Sequence, residues 1–160
     1  MRGPNEIDFW RGFALLTIFI DHVPGLVFSN YTMRYFGLCD AAELFVFLAG
    51  WSLRLLMDGR KEPMSLPSAI MRLETRAMTI FFAQLIITQM ALALTAAGSI
   101  WLENPLFLEW NNASAAFEDP LQTQVGIVLL SHQMGFFDIL PLYVVLIAGS
   151  PLCVISDRIW

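Results

Sequence analysis

The sequence is poor in cysteine and in positive charge. Its 160 residues include two cysteines, Cys39 and Cys153, and nine Lys and Arg against fourteen Asp and Glu. The two cysteines match no metal-binding spacing and no disulfide framework of a small secreted domain. The few cations form no basic stripe, so the chain has no signature of nucleic-acid binding. Internal repeats and low-complexity tracts are also missing.

Positive charge is absent from one long part of the chain, because no Lys or Arg occurs between Ala77 and Asp157. The nine cations are Arg2, Arg11, Arg34, Arg54, Arg60, Lys61, Arg72, Arg76 and Arg158. In membrane proteins the short loops that carry positive charge stay in the cytoplasm. This bias predicts that the N-terminus, segment 58–76 and the C-terminal end lie in the cytoplasm. The links 29–40 and 101–135 are predicted to face outward.

Apolar residues are abundant, at 57% of the chain, and the mean hydropathy is +0.62. Their distribution predicts an all-α fold, a polytopic transmembrane helix bundle that forms one membrane domain over residues 1–160. The four predicted spans are 9–28, 41–57, 77–100 and 136–155. Between the last two, the apolar run Val125–Leu130 is too short to cross about 30 Å of hydrocarbon. Residues 101–133 are therefore predicted to form an interfacial or re-entrant element.

The first predicted span carries ionisable residues, Arg11 near its start and Asp21 and His22 deep inside. Eleven residues separate Arg11 from His22, which places them within about 20° on a helix and about 16 Å apart along its axis. Ionisable groups within a span are costly and usually face a protein interior or a wet cavity. This pair therefore indicates a functional site.

The second predicted span repeats the spacing, because Glu43 and Arg54 are also eleven residues apart and share a helix face. Antiparallel spans would place Arg11 and Arg54 near the inner surface and His22 and Glu43 towards the outer half. If the two faces meet, the spans form an inner basic pole and an outer His–Glu pair.

Two further regions carry polar residues beside apolar runs. The stretch from Pro67 is predicted to be an interfacial helix, with Arg72 and Arg76 one turn apart. Asp138 opens the fourth span, and Pro141 is expected to kink that span or to lie in its first turn.

These residues suit acyl transfer. A histidine beside a carboxylate can act as a general base, and an arginine can bind phosphate through two hydrogen bonds. A phosphate-bearing donor from inside and a hydroxyl acceptor outside would match the two poles. Acyl-coenzyme A and a sugar are one such pair.

Structural roles explain the same residues equally well. Arg11 and Arg54 can be snorkelling interface residues, and His22 a satisfied contact between helices. Glu43 can be solvated, and Asp138 can cap the fourth span. Two other functions stay open: an ion or solute translocator with a relay of buried charges, and a non-catalytic membrane subunit.

An ordered set of sequence blocks carries a family resemblance. The Arg-x10-His spacing of Arg11 and His22 resembles the first membrane helix of the membrane-bound acyltransferase-3 superfamily. The blocks that resemble its OpgC type are Glu6-x-Asp8-x2-Arg11-Gly12, His22-x-Pro24-Gly25, Ala42–Gly50, Arg72-x3-Arg76 and Asp138–Tyr143.

The resemblance implies an O-acyltransferase of the bacterial inner membrane that moves a succinyl group from cytoplasmic succinyl-coenzyme A to a hydroxyl of a periplasmic glucan. The implied partners are membrane lipid, the acyl donor and the glucan; no bound cofactor and no metal are expected. The residues assigned to catalysis are His22, Arg11 and Glu43, and those assigned to substrate binding are Arg54, Arg72, Arg76 and Asp138. Members of the family are longer, so this chain is expected to be the N-terminal part of the domain.

Overall fold

In this computed structural model, the structure describes residues 6–23, 25–37, 39–58, 65–135 and 137–159. All regular secondary structure in these ranges is helical, which confirms the predicted all-α class. A 3-10 helix, Val27–Tyr31, accompanies the α-helices, which are α1 (Glu6–Asp21), α2 (Met33–Phe36), α3 (Ala41–Asp58), α4 (Leu66–Trp101), α5 (Leu106–Trp110), α6 (Ala115–Glu118), α7 (Pro120–Val128) and α8 (Ile139–Ile159). The chain divides into two compact units, Met1–Met64 and Ser65–Trp160.

The first unit is built on the packing of α1 against α3. The buried residues of α1 are Ala14 and Thr17, and those among the described side chains of α3 are Ala41, Phe45 and Leu48. On each helix they recur at intervals of three or four, which places them on one stripe. The small side chains on this stripe let the two helices approach closely.

The first helix is shorter than the predicted span 9–28. It begins at Glu6 and ends at Asp21, so the predicted end at residue 28 is wrong by seven residues. Gly25 has a φ of +76°, a left-handed conformation that stops a right-handed helix. Sixteen residues reach about 24 Å, less than the hydrocarbon thickness of about 30 Å. The predicted breaking effect of Pro24 lies outside the described residues.

A single helix replaces two predicted ones in the second unit. We expected an interfacial helix from Pro67 followed by a span over 77–100, but α4 is continuous over 36 residues. Pro67 lies in its first turn, where a missing N–H costs nothing. The separate interfacial helix is therefore wrong. The basic residues Arg60 and Lys61 of the predicted cytoplasmic segment lie outside the described residues.

Among the described residues, two helices are long and apolar enough to cross a membrane, by length and composition: α4 and the Ile139–Ser156 part of α8. The apolar stretch Ala41–Ser52 of α3 is shorter. Only 22% and 39% of the residues in the best windows of the two long helices are buried. Both thus present mainly exposed apolar surface. The prediction of four spans stays a prediction.

The two long helices run antiparallel, and they differ in length. Arg76 of α4 contacts Tyr143 of α8, and Gln84, eight residues later, contacts Phe137, six residues earlier than Tyr143. The second half of α4 extends beyond this pairing. There Leu92 packs in a core with Ala113, Ile127 and Met134 from the segment between α4 and α8. The predicted interfacial or re-entrant segment is thus a small helical cap beside α4.

Candidate functional site

Arg11 faces the second long helix of its unit. The side chain is half-buried, and the centre of its guanidinium lies 5.3 Å from the centroid of the Phe45 ring on α3. A guanidinium over an aromatic face is attracted by the ring quadrupole, by about 0.5–2 kcal/mol depending on desolvation. This contact holds the cation between α1 and α3.

His22 follows the last residue of α1 and continues its hydrogen bonding. Its backbone N–H donates to the Ile18 carbonyl at 3.2 Å, and its ring Nδ1 lies 2.6 Å from the same oxygen. A carbonyl oxygen only accepts, so Nδ1 must carry the proton that is donated. In the neutral ring the lone pair is then on Nε2. The Ile18 carbonyl of α1 therefore favours the tautomer that is protonated on Nδ1.

Asp21, beside His22, has a partner that the sequence did not indicate. The hydroxyl of Thr32 donates to Oδ1 of Asp21 at 2.5 Å, and Thr32 is buried. This bond ties the end of α1 to the start of α2. The sequence signal for this site was the polar dipeptide Asp21–His22 within an apolar stretch. Its partner Thr32 could not be predicted, because the sequence does not specify the geometry of the turn that separates Thr32 from Asp21.

Glu43 lies in the first turn of α3 and forms a capping box with Asp40. The backbone N–H of Glu43 donates to Oδ1 of Asp40 at 2.9 Å, and Oε2 of Glu43 accepts from the Asp40 N–H at 3.2 Å. This exchange satisfies two donors that the helix start leaves open. Glu43 is exposed. The structure thus gives it a capping role, and the predicted pairing with His22 stays a prediction.

The residues assigned to substrate binding lie on both units. Arg54 is exposed on α3, and Arg72 is exposed on α4. Arg76 donates from Nη2 to the hydroxyl of Tyr143 at 3.2 Å, which joins α4 to α8. Asp138 is exposed directly before α8, and its carbonyl accepts from the Leu142 N–H at 3.2 Å. The structure therefore brings Arg76 to the 138–143 block.

A neutral polar network occupies the middle of α4. Gln84 is only 1% exposed, and its Nε2 lies 3.1 Å from the Thr88 hydroxyl, 3.3 Å from Oε1 of Gln133 and 3.1 Å from the Phe137 carbonyl. Two amide hydrogens are shared by these three acceptors. The network holds the segment that precedes α8 against α4. The partners Gln133 and Phe137 lie 49 and 53 residues further along the chain, so local pattern gives no sign of them.

One comparison with known proteins gives a match. A family model described as OpgC protein matches residues 4–160. The match includes every candidate residue placed above. The comparisons with curated proteins and with solved structures give no match.

Proposed function

The chain belongs to the OpgC protein family, and from this membership we propose that it is a membrane acyltransferase that succinylates a periplasmic glucan. The predicted resemblance to this family is confirmed, and the wider acyltransferase-3 relationship stays a prediction. Family membership suggests a role in periplasmic glucan modification and an acyltransferase-type enzyme. The succinyl-coenzyme A donor and the inner-membrane location belong to our proposal.

The family match over nearly the whole chain is the observation that carries this proposal. The geometry of α1 supports it, because Arg11 rests against Phe45 and the His22 ring is held by the Ile18 carbonyl. The apolar surfaces of α4 and α8 support a membrane location. No observation on the described residues favours ion or solute translocation.

The proposed mechanism uses His22 as the base. Its Nε2 removes the proton of a glucan hydroxyl, and the hydroxyl oxygen attacks the thioester carbonyl carbon. The carbon–sulfur bond then breaks, and the coenzyme A thiolate leaves and takes the proton from the imidazolium. The donated Nδ1–H bond to Ile18 keeps the ring in this orientation throughout.

The proposed role of Arg11 is electrostatic. Its guanidinium binds a phosphate of the donor or stabilises the charge that develops on the thioester oxygen. Glu43 is proposed to stabilise the imidazolium. Arg54, Arg72 and Arg76 would bind donor phosphates, and Asp138 would accept a hydrogen bond from an acceptor hydroxyl.

Glucan charge tests this function directly. A succinyl half-ester adds one carboxylate to a neutral glucan, so each transfer increases retention on an anion-exchange column. We expect the protein, expressed in a bacterial strain that makes only unsubstituted periplasmic glucan, to shift that glucan into retained fractions. Mild alkali should cleave the ester and reverse the shift. Glucan that elutes as in the empty-vector strain, at confirmed protein abundance in membranes, would contradict the proposal.

A further inference from the structure

Asp21 is a carboxylate that the proposed mechanism does not use. It is the last residue of α1 and directly precedes His22, and both residues are half-buried. The helix dipole is negative at the C-terminal end of a helix, which makes a carboxylate there unfavourable. Groups near Asp21 must therefore stabilise its charge.

Thr32 is the first such group. Its hydroxyl donates to Oδ1 of Asp21 at 2.5 Å, and the residue is only 8% exposed. The hydroxyl also lies 2.9 Å from the Ser29 carbonyl, but it has one proton to donate, and the charged acceptor forms the stronger bond. Thr32 directly precedes α2, where a threonine commonly caps the helix, yet its side chain makes no capping bond to the described backbone of α2. The hydroxyl thus serves Asp21.

The second group is the imidazolium that forms on His22 during transfer. The ring donates from Nδ1 to the Ile18 carbonyl, and the proposed mechanism uses Nε2 to take the proton of the acceptor. Both ring nitrogens then carry hydrogen, and the ring is positively charged. The Cα atoms of adjacent residues are about 3.8 Å apart, so the carboxylate of Asp21 attracts this charge through space. Water screens the attraction less in a half-buried site than at the surface.

Glu43, the carboxylate assigned to this task from the sequence, lies in a different setting. It is exposed, and its Oε2 accepts from the Asp40 N–H in the capping box of α3. Water screens a charge at such a position, and the capping bond holds the carboxylate at the helix start. A larger electrostatic effect on His22 is therefore expected from Asp21 than from Glu43.

We propose that Asp21 is a positioning residue that acts through the base: its carboxylate stabilises the His22 imidazolium, and the Thr32 hydroxyl holds the carboxylate in place. This role rests on the proposed function, because it requires His22 as the base. No bond to Asp21 forms or breaks in the reaction. Its charge lowers the energy of the charged intermediate, so its loss should change kcat and leave both KM values unchanged.

Asp21→Asn separates the charge from the hydrogen bond. Asparagine keeps an oxygen that accepts from Thr32, so the link to α2 is retained while the negative charge is lost. We expect kcat for succinyl incorporation into glucan, measured in membranes at matched protein abundance, to fall about tenfold. Glu6→Gln is the matched control, because it makes the same chemical change at an exposed residue in the first turn of the same helix. It should transfer as the unmodified protein does.

Thr32→Val makes the converse change, since it keeps the charge and removes the hydrogen bond. We expect kcat to fall about threefold, and Thr32→Ser, which keeps a hydroxyl, should recover the rate. Thr17→Val is the control: Thr17 is also buried, but its hydroxyl donates to the Phe13 carbonyl within α1, so kcat should not change. In the Asp21→Asn background, Thr32→Val should lower kcat no further, because no charge is left to hold.

The outcomes separate the role of Asp21 from the proposed function. Loss of transfer in His22→Ala together with an unchanged kcat in Asp21→Asn would overturn the role of Asp21 alone. Additive losses in Asp21→Asn and Thr32→Val would also overturn it, because they would assign the two residues to separate tasks. No transfer by the unmodified protein would overturn the proposed function, and this role with it.

Discussion

Residues 11–22 of the first unit and the middle of α4 in the second differ in the kind of polar group that they carry. In the first unit Arg11, Asp21 and His22 are ionisable, half-buried and in contact with neighbouring groups of the same unit. In the second unit the most buried polar side chains of the long helix are Gln84 and Thr88, which are neutral. Gln84 holds α4 against the segment before α8, whereas the proposed function assigns Arg11 and His22 to chemistry.

Replacing His22 with alanine should have the largest effect on transfer. Loss of a general base lowers the rate by about 10²–10⁴-fold. The measurement is succinyl incorporation into glucan at matched protein abundance in membranes. Phe19→Ala is the control, because Phe19 lies on the same helix with its side chain 67% exposed. Unchanged incorporation in His22→Ala would eliminate His22 as the base.

Replacing Arg11 with alanine should reduce transfer next most, by about 10²-fold, because one electrostatic contact to developing charge is lost. Arg11→Lys should recover part of the rate, since it keeps the charge without the planar edge. Arg34→Ala removes an exposed cation of the same unit and should leave the rate unchanged. Equal rates for Arg11→Ala and Arg34→Ala would assign Arg11 to packing alone.

Replacing Gln84 should lower stability, which tests the structural role that the comparison gives to the polar residues of α4. Gln84→Leu leaves buried acceptors without their donor and should lower the free energy of unfolding by about 1–3 kcal/mol. Gln89→Leu is the matched control. Gln89 also bonds to a glutamine of the cap, at 2.9 Å to Gln124, but it is exposed, so its loss should cost well under half as much. Thermal unfolding in detergent measures both; equal losses would refute the role of the buried network.

The smallest predicted change in the free energy of unfolding is a stabilisation, and it comes from the turn that follows α7. Leu130 has a φ of +57° in a helix-ending motif in which the Ser131 N–H donates to the Gly126 carbonyl at 2.8 Å. Leu130→Gly relieves left-handed strain and should stabilise by about 0.5–1 kcal/mol. Leu129→Gly, at a φ of −81°, should destabilise by a similar amount. Destabilisation by both variants would show that leucine packing outweighs backbone strain at residue 130.

The helical character of the chain and the approximate positions of α3 and α8 were predictable from local sequence pattern. The predicted second span, 41–57, differs from α3 by one residue, and Pro141 lies in the first turn of α8. Both follow from apolar composition and from the tolerance of proline near a helix start. The position of Arg11 within α1 agrees with the predicted first span, whereas His22 follows the last residue of α1 and its pairing with Arg11 stays a prediction.

Helix ends and side-chain partners were less predictable. The helix α1 ends at Asp21, four residues before the left-handed Gly25, and α4 continues unbroken through the exposed Arg72; local pattern showed neither. The capping box of Asp40 and Glu43 was not predicted, because Glu43 was given only a catalytic or a solvated role. The close approach of Gly126 to His132 is likewise not revealed by any local periodicity.

Transfer across the membrane is the most direct test of the central claim. Inverted membrane vesicles that enclose neutral glucan are supplied from outside with coenzyme A carrying a labelled succinyl group. The account predicts that label enters the enclosed glucan as an alkali-labile ester, in proportion to donor, and that vesicles with His22→Ala show only background. Label in the glucan at equal rates with and without His22, or no label in the glucan at all, would contradict the account.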